Sequence, residues 1–229
     1  MPTVQDDEFG EITVRRSVKS RSIRISVAPN GLLRASMPPY APLFALKRLI
    51  KSSRNELRAM LTQQTPKYSL YNGMEIGKSH KLVVGTSSRT SIRKTERSIV
   101  VALAPGDNLT DPTIERQVRD EITKALRTEA KNYLPRRLAY LAEKLDCHYE
   151  KVRFSHASSR WGSCSSGGTI SLNIALMKLP HALIDYVIIH ELCHTKQMNH
   201  STAFWRLVEG ADPSYKLHRK LLKSHSPSV

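Results

Sequence analysis

The chain has 229 residues, 40% of them apolar, which is enough for a buried core and excludes a wholly disordered polymer. Its formal net charge is +16, from 36 basic and 20 acidic residues, which favours an acidic or phosphate-bearing partner over a basic one. No run approaches the roughly 18 apolar residues of a membrane-spanning helix, and the acidic start, Met1 to Glu8, lacks the apolar stretch of a secretory signal, so the expectation is a cytoplasmic protein without a membrane partner.

Cys147, Cys164 and Cys193 are odd in number and widely spaced. They support neither a disulfide framework nor a cysteine-rich zinc knuckle, and read as small buried hydrophobes. The positive charge is dense early on: residues 12–58 hold eleven Lys or Arg and one acid, Glu56. That density suits nucleic acid, nucleotide phosphates or an acidic protein, and equally a plain basic surface, because aromatics are sparse.

In chain order, residues 1–10 read as a disordered tail. From Ser22, Ile23, Ile25 and Val27 alternate with polar residues as in a half-buried strand. Pro29-Asn30-Gly31 supplies a turn, and Leu32 to Met37 returns as a second strand before Pro38-Pro39. Residues 42–63 form an amphipathic helix with Leu43, Leu46, Ile50, Leu57 and Leu61 near one face. Short strands follow at Tyr68–Leu70, Met74–Ile76 beyond the Asn72-Gly73 turn, Lys81–Val84 and Ser98–Leu103.

Asp111-Pro112 opens a helix, with Asp as N-cap and Pro at the first helical position. It runs to about Tyr133, where Pro135 ends or kinks it, and helix resumes to Leu145. Val152–Phe154 and Thr169–Asn173 read as strands around a Ser/Gly-rich loop, Ser155–Gly168. Pro180 opens a helix reaching about Gln197, Ser201 caps one through Val208, and Asp212-Pro213 starts the last. The class is α+β, divided into the tail, an amino-terminal β-rich region with one helix (11–106) and a catalytic region (107–229).

The chemistry concentrates in His190-Glu191-Leu192-Cys193-His194, an H-E-x-x-H motif. Residues i and i+4 lie one turn apart on one helix face, so both imidazoles can reach one ion. Glu191, a step around the helix, can take a proton from a water on that ion without being a ligand. The apolar run Tyr186-Val187-Ile188-Ile189 buries the helix and holds the ligands rigidly. Zinc is the expected cofactor.

A zinc hydrolase normally adds a third protein ligand. His200, six residues past His194, leads; Glu209 on the next helix is the rival. Gln197 stands where metzincin proteases have a turn glycine, so their exact turn is not expected. His80, His148, His181, His218 and His225 lack ligand spacing, and His156 is ambiguous.

Arg160-Trp161-Gly162-Ser163-Cys164-Ser165, Ile170-Ser171-Leu172-Asn173, Ile184-Asp185-Tyr186-Val187, the H-E-x-x-H segment, and Asn199-His200-Ser201 with Phe204-Trp205 together resemble the YgjP-like metal-dependent hydrolases. These are similar to the SprT and Wss-type zinc proteases. The resemblance spans residues 12–224 as one continuous unit and is most specific from Arg160 to Trp205. It implies a minimal zincin fold, a small sheet packed on the active-site helix behind an amino-terminal β-rich extension. His190, His194 and His200 are then the metal ligands and Glu191 the base. It makes the Arg160-Trp161 segment a structural or substrate-facing loop, with Arg160 and Trp161 as possible substrate or anion contacts. Ser163 and Cys164 are not needed as nucleophiles.

Three functions are compatible with these residues. One is a zinc metallopeptidase acting on peptides or proteins. The second, implied by the resemblance, is a nucleoside triphosphate (UTP) pyrophosphatase, although no P-loop and few clustered carboxylates are present. The third is a nucleic-acid-binding adaptor with a structural zinc site, against which an intact Glu191 argues. Arg160, His156 and Tyr186 are candidates for steadying an oxyanion.

Overall fold

In the computed structural model, which describes residues 2–18, 20–28, 32–63 and 70–227, the chain forms two compact units, 1–69 and 70–229.

The first unit opens with β1 (Thr3–Asp6) and β2 (Gly10–Arg16), followed by β3 (Arg24–Val27) and β4 (Leu33–Met37). They make one sheet in the order β1-β2-β4-β3, with only β2 and β4 parallel. The expected amino-terminal tail is thus in part a strand. Val4 is buried, and Asp6 Oδ1 accepts the amides of Glu8 and Phe9 at 3.0 and 3.1 Å, which closes the β1–β2 turn ahead of Gly10 in its left-handed conformation. The segment 42–63 is two helices, α1 (Leu43–Ser52) and α2 (Arg54–Gln63), interrupted at Ser53. Ile12, Val14, Leu33, Ala35 and Met37 point from the sheet into a core shared with Leu46, Ile50 and Leu57. The expected Pro29-Asn30-Gly31 turn, and Tyr68 and Ser69 of the expected Tyr68–Leu70 strand, lie outside the described residues.

The second unit begins with β5 (Glu75–Ile76), β6 (His80–Thr86), β7 (Ser91–Lys94) and β8 (Ser98–Leu103), paired in the order β5-β6-β8-β7. Then α3 runs unbroken from Pro112 to Lys144. Pro135 neither ends nor divides it. The carbonyl it orphans, four residues back on exposed Lys131, is on the wet side, while Leu134, Leu138 and Leu141 stay packed in the core. Asp111 has the extended backbone of an N-cap, but its carboxylate accepts the amide of Asn108 at 2.7 Å and not one of the helix.

A small third sheet, β10-β11-β9, follows from β9 (Lys151–Ser155), β10 (Gly162–Cys164) and β11 (Thr169–Asn173). The stretch expected to be all loop, 155–168, therefore contains a strand, whose pairing Gly162↔Leu172 to Cys164↔Ile170 fixes the Arg160-Trp161 segment beside the sheet edge. A 3-10 turn (Ile174–Lys178) leads into α4 (His181–Lys196), then α5 (Thr202–Ala211) and α6 (Tyr215–Leu222). Helix α4 packs against β10, β11, α3, α5 and α6, and so lies at the centre of this unit. Arg137 of α3 clamps it with two parallel bonds to Asp185, at 2.7 and 2.6 Å. The fold is thus α+β, with a small sheet packed on the motif-bearing helix. All three cysteines are free, and no helix among the described residues is long and apolar enough to cross a membrane.

Candidate metal centre

Helix α4 is apolar on most sides, so the turns carrying His190, Glu191 and His194 are embedded. Glu191 is 5% exposed and His194 8%. At its end Gln197 adopts φ −141°, an extended conformation open to any residue, so the chain turns here without the glycine that a metzincin turn would need. The Gln197 side chain bonds Asn199 Oδ1 and Ser201 Oγ at 3.1 and 3.2 Å, and Ser201 Oγ caps α5 by accepting the amide of Phe204. This turn brings His200 back over α4.

Ligand atoms of His190, His194 and His200 lie within 4.8 Å of one another. The Nε2 atoms of His190 and His200 are 3.1 Å apart. Two nitrogens sharing one tetrahedral ion at about 2.0–2.1 Å would stand about 3.4 Å apart, so the spacing suits a common ion. His194 Nδ1–H donates to the Gln197 carbonyl at 3.1 Å, which fixes the tautomer and leaves Nε2 with its lone pair. Burial, then the neighbouring His194 and His200, push His190 down to about 3, so its ring is neutral, as a ligand requires. Three imidazoles converging on one point fit a divalent ion such as zinc. His190 Nδ1 is buried and has no partner among the described residues.

Aromatic rings hold this set in place. Phe204 stacks on His194 at 4.5 Å between centroids and meets His190 and His200 edge-on. Trp205 stacks on His200 at 5.7 Å and on Tyr215 at 5.5 Å, with the Arg219 guanidinium 4.7 Å above its ring.

Glu191 faces a cleft of about 160 Å³ lined also by Trp161, Gly162, Tyr186, Val187, His190 and Leu222. Burial pushes its carboxyl up to about 7, opposed by the charge of Arg160. Gly162 presses against it: a Cβ there would lie 2.6 Å from Glu191 Oε1 and 2.8 Å from its Cγ. The glycine of the Arg160-Trp161-Gly162 segment is thus an accommodation for the carboxylate, a role the sequence reading did not assign. Asn173, fully buried at the end of β11, ties the segment down by donating to the carbonyls of Ala157 and Arg160 at 2.6 and 2.9 Å. Its backbone amide donates to Trp161 O.

The other expected residues fall as follows. Glu209 is exposed, reaches toward Lys216 at 3.7 Å and is outside the histidine cluster. Arg160 is exposed within electrostatic reach of Glu191, and Trp161 walls the cleft. Tyr186 also lines it. His156 does not; it is held neutral by burial, with Arg127, Lys178 and Asp120 as its charged surroundings. His80, His148, His181 and His218 bond Glu129, Glu150, Tyr133 and Asp212 respectively, and His225 is exposed. Burial raises the Cys164 thiol and pushes Cys193 up to about 12, so neither is a ready thiolate.

The family model of the YgjP-like metallopeptidase domain matches residues 21–225. Among curated proteins no sequence matches significantly. Among solved structures, the metallopeptidase zymogen of Pyrococcus abyssi abylysin is 28% identical, with 39% of this chain and 92% of that one covered and a TM-score of 0.36. The metallopeptidase zymogen of Methanocaldococcus jannaschii jannalysin is 19% identical, with 39% and 94% covered and a TM-score of 0.33.

Proposed function

The chain belongs to the YgjP-like metallopeptidase family and is a metal-dependent hydrolase; from that premise we propose that it is a zinc metallopeptidase, with His190, His194 and His200 as ligands and Glu191 as general base. The observation that carries this reading is the convergence of three imidazoles beside one buried carboxylate at the floor of an open cleft.

An ion held by these histidines would supply Lewis acidity toward a scissile carbonyl and toward a water whose pKa it would bring near 7, and its charge would favour the ionised Glu191 carboxyl. Glu191 takes a proton from the attacking water on the cleft side and passes it to the leaving amine. Gly162 and Asn173 keep that carboxylate and the neighbouring loop from drifting. Trp161, Val187 and Leu222 give the cleft apolar walls on which a peptide side chain can rest, and they exclude bulk water from Glu191. Tyr186 and Arg160 stand where a hydroxyl or guanidinium could meet developing negative charge.

A structural zinc site would need a fourth protein ligand, and the cluster among the described residues has three. A UTP pyrophosphatase would call for clustered carboxylates to hold magnesium, whereas Glu191 is the one acid lining this cleft among the described residues.

The test is turnover of unfolded protein, and release of diphosphate from UTP, by zinc-loaded protein and by Glu191→Gln. Peptide cleavage lost in the variant supports the reading. Diphosphate release without proteolysis, or no turnover by fully loaded protein, overturns it.

A further inference from the structure

The strand register of the first unit places its charges in a pattern that sequence order hides. Core residues Ile12, Val14, Leu33, Ala35 and Met37 occupy one face of the sheet, so their neighbours Thr13, Arg15, Arg34 and Ser36 occupy the other. Across the strands Arg15 pairs with Ser36, which pairs with Arg24; one row away Thr13 pairs with Arg34, which pairs with Ser26. The solvent face of β2-β4-β3 is therefore a grid in which arginines alternate with hydroxyls.

Arg15 and Arg24 have no acidic partner among the described residues. Arg34 spends one donor on Ser26 Oγ at 3.2 Å and keeps four. Among the described residues Glu11 is the acid on this face, and it sits at the far end of β2 opposite Gln5. Asp6 and Glu8 are occupied by Arg54 and Arg58. No aromatic side chain lies at these outward positions.

We propose that this face docks the phosphodiester backbone of a nucleic-acid duplex, independently of the peptidase reading above. Guanidinium forks match phosphate oxygens bidentately, and Ser26, whose oxygen accepts from Arg34, keeps its O–H as a donor, whereas Ser36 Oγ is taken up by Ser20 Oγ at 2.8 Å. With strands about 4.8 Å apart, Arg15 and Arg24 span about 10 Å across Ser36. A duplex presents about six phosphate charges over that length, and a single strand half as many. A single strand would gain most from aromatic stacking, which this face does not offer. Charge complementarity without stacking favours the duplex, read without regard to sequence.

The experiment uses the full chain, with fluorescence-labelled DNA and RNA duplexes of about 20 base pairs and the matching single strands, titrated at 50–200 mM salt. One variant is Arg15→Gln/Arg24→Gln/Arg34→Gln; its charge-matched control is Lys47→Gln/Arg48→Gln/Lys51→Gln on exposed positions of α1. Duplex binding should be tighter than single-strand binding. The sheet variant should weaken it at least tenfold and flatten the log–log salt slope by about 2–3, at about 0.9 per lost phosphate contact. The α1 control should stay within threefold, and both variants should unfold at the temperature of the unaltered chain. Whether DNA or RNA is preferred identifies the source of the duplex. No duplex binding at 50 mM salt, equal loss in the two variants, or tighter binding of single strands or polyglutamate overturns the proposal. None of these results bears on peptide cleavage, so the two readings fail separately.

Discussion

Replacing Gly162 by alanine should inactivate the site while sparing the metal and the fold. The added Cβ would stand 2.6, 2.8 and 2.9 Å from Oε1, Cγ and Cδ of Glu191. Ordinary carbon contacts begin near 3.5 Å, so the carboxylate must retreat by roughly 0.6–0.9 Å. Retreat of one side chain in a packed setting costs about 1–3 kcal/mol of stability. A misplacement approaching 1 Å at the reacting group costs about 10²-fold in rate, or about 2.7 kcal/mol in the barrier. The three atoms nearest the new methyl all belong to Glu191 and none to a histidine, so metal stoichiometry should stay at the unaltered value. The assay is kcat on a quenched peptide alongside bound zinc and thermal unfolding, with Ser163→Ala as a neighbour that leaves Glu191 alone. A Gly162→Ala protein whose kcat stays within threefold of the unaltered chain, or one that fails by losing its zinc, would refute this account of the glycine.

In metal-free protein Glu191 is raised from its ordinary 4.5 to about 7, so the folded state holds a proton that the unfolded chain releases. Stability should therefore be full below pH 4.5 and fall by up to about 3 kcal/mol as pH passes 7; Glu191→Gln should flatten that slope in urea titrations with chelator. Zinc at 100 times its dissociation constant should add about 2.7 kcal/mol to unfolding, seen as a rise in Tm. His200→Ala should abolish most of that rise, and Glu209→Ala none of it. Asn173→Ala leaves carbonyls of the 157–160 loop without donors, and should cost about 2–3 kcal/mol together with a fall in kcat at unchanged zinc content.

The motif helix was legible because two constraints agree: an apolar run long enough to be buried and ligands spaced at one turn. The third sheet was half legible. Val152–Phe154 and Thr169–Asn173 carry strand residues, but β10 is Gly-Ser-Cys, which has no strand propensity and exists through its pairing with β11. The same holds for β1, whose Thr-Val-Gln-Asp offers one buried residue and is held by β2. Pro135 is carried inside α3 because Leu134, Leu138 and Leu141 hold the helix in the core while the carbonyl it orphans faces solvent, and sequence does not say which side of a long helix is wet. The preference for His200 over Glu209 required a turn whose geometry rests on Gln197, and a glutamine side chain bonding two neighbours has no signature in spacing. The contact between Gly162 and Glu191, separated by 29 positions in the chain, is tertiary and leaves no local trace.

The stacked rings couple the histidine cluster to α6. His190 and His194 ride on α4, but His200 leans on Trp205, which is itself sandwiched by Tyr215 and covered by Arg219 from α6. Stripping that stack, as in Tyr215→Ala, would leave the H-E-x-x-H segment intact while loosening His200 alone. The steadiness of the cluster is therefore set in part by a helix that contributes none of its ligand atoms.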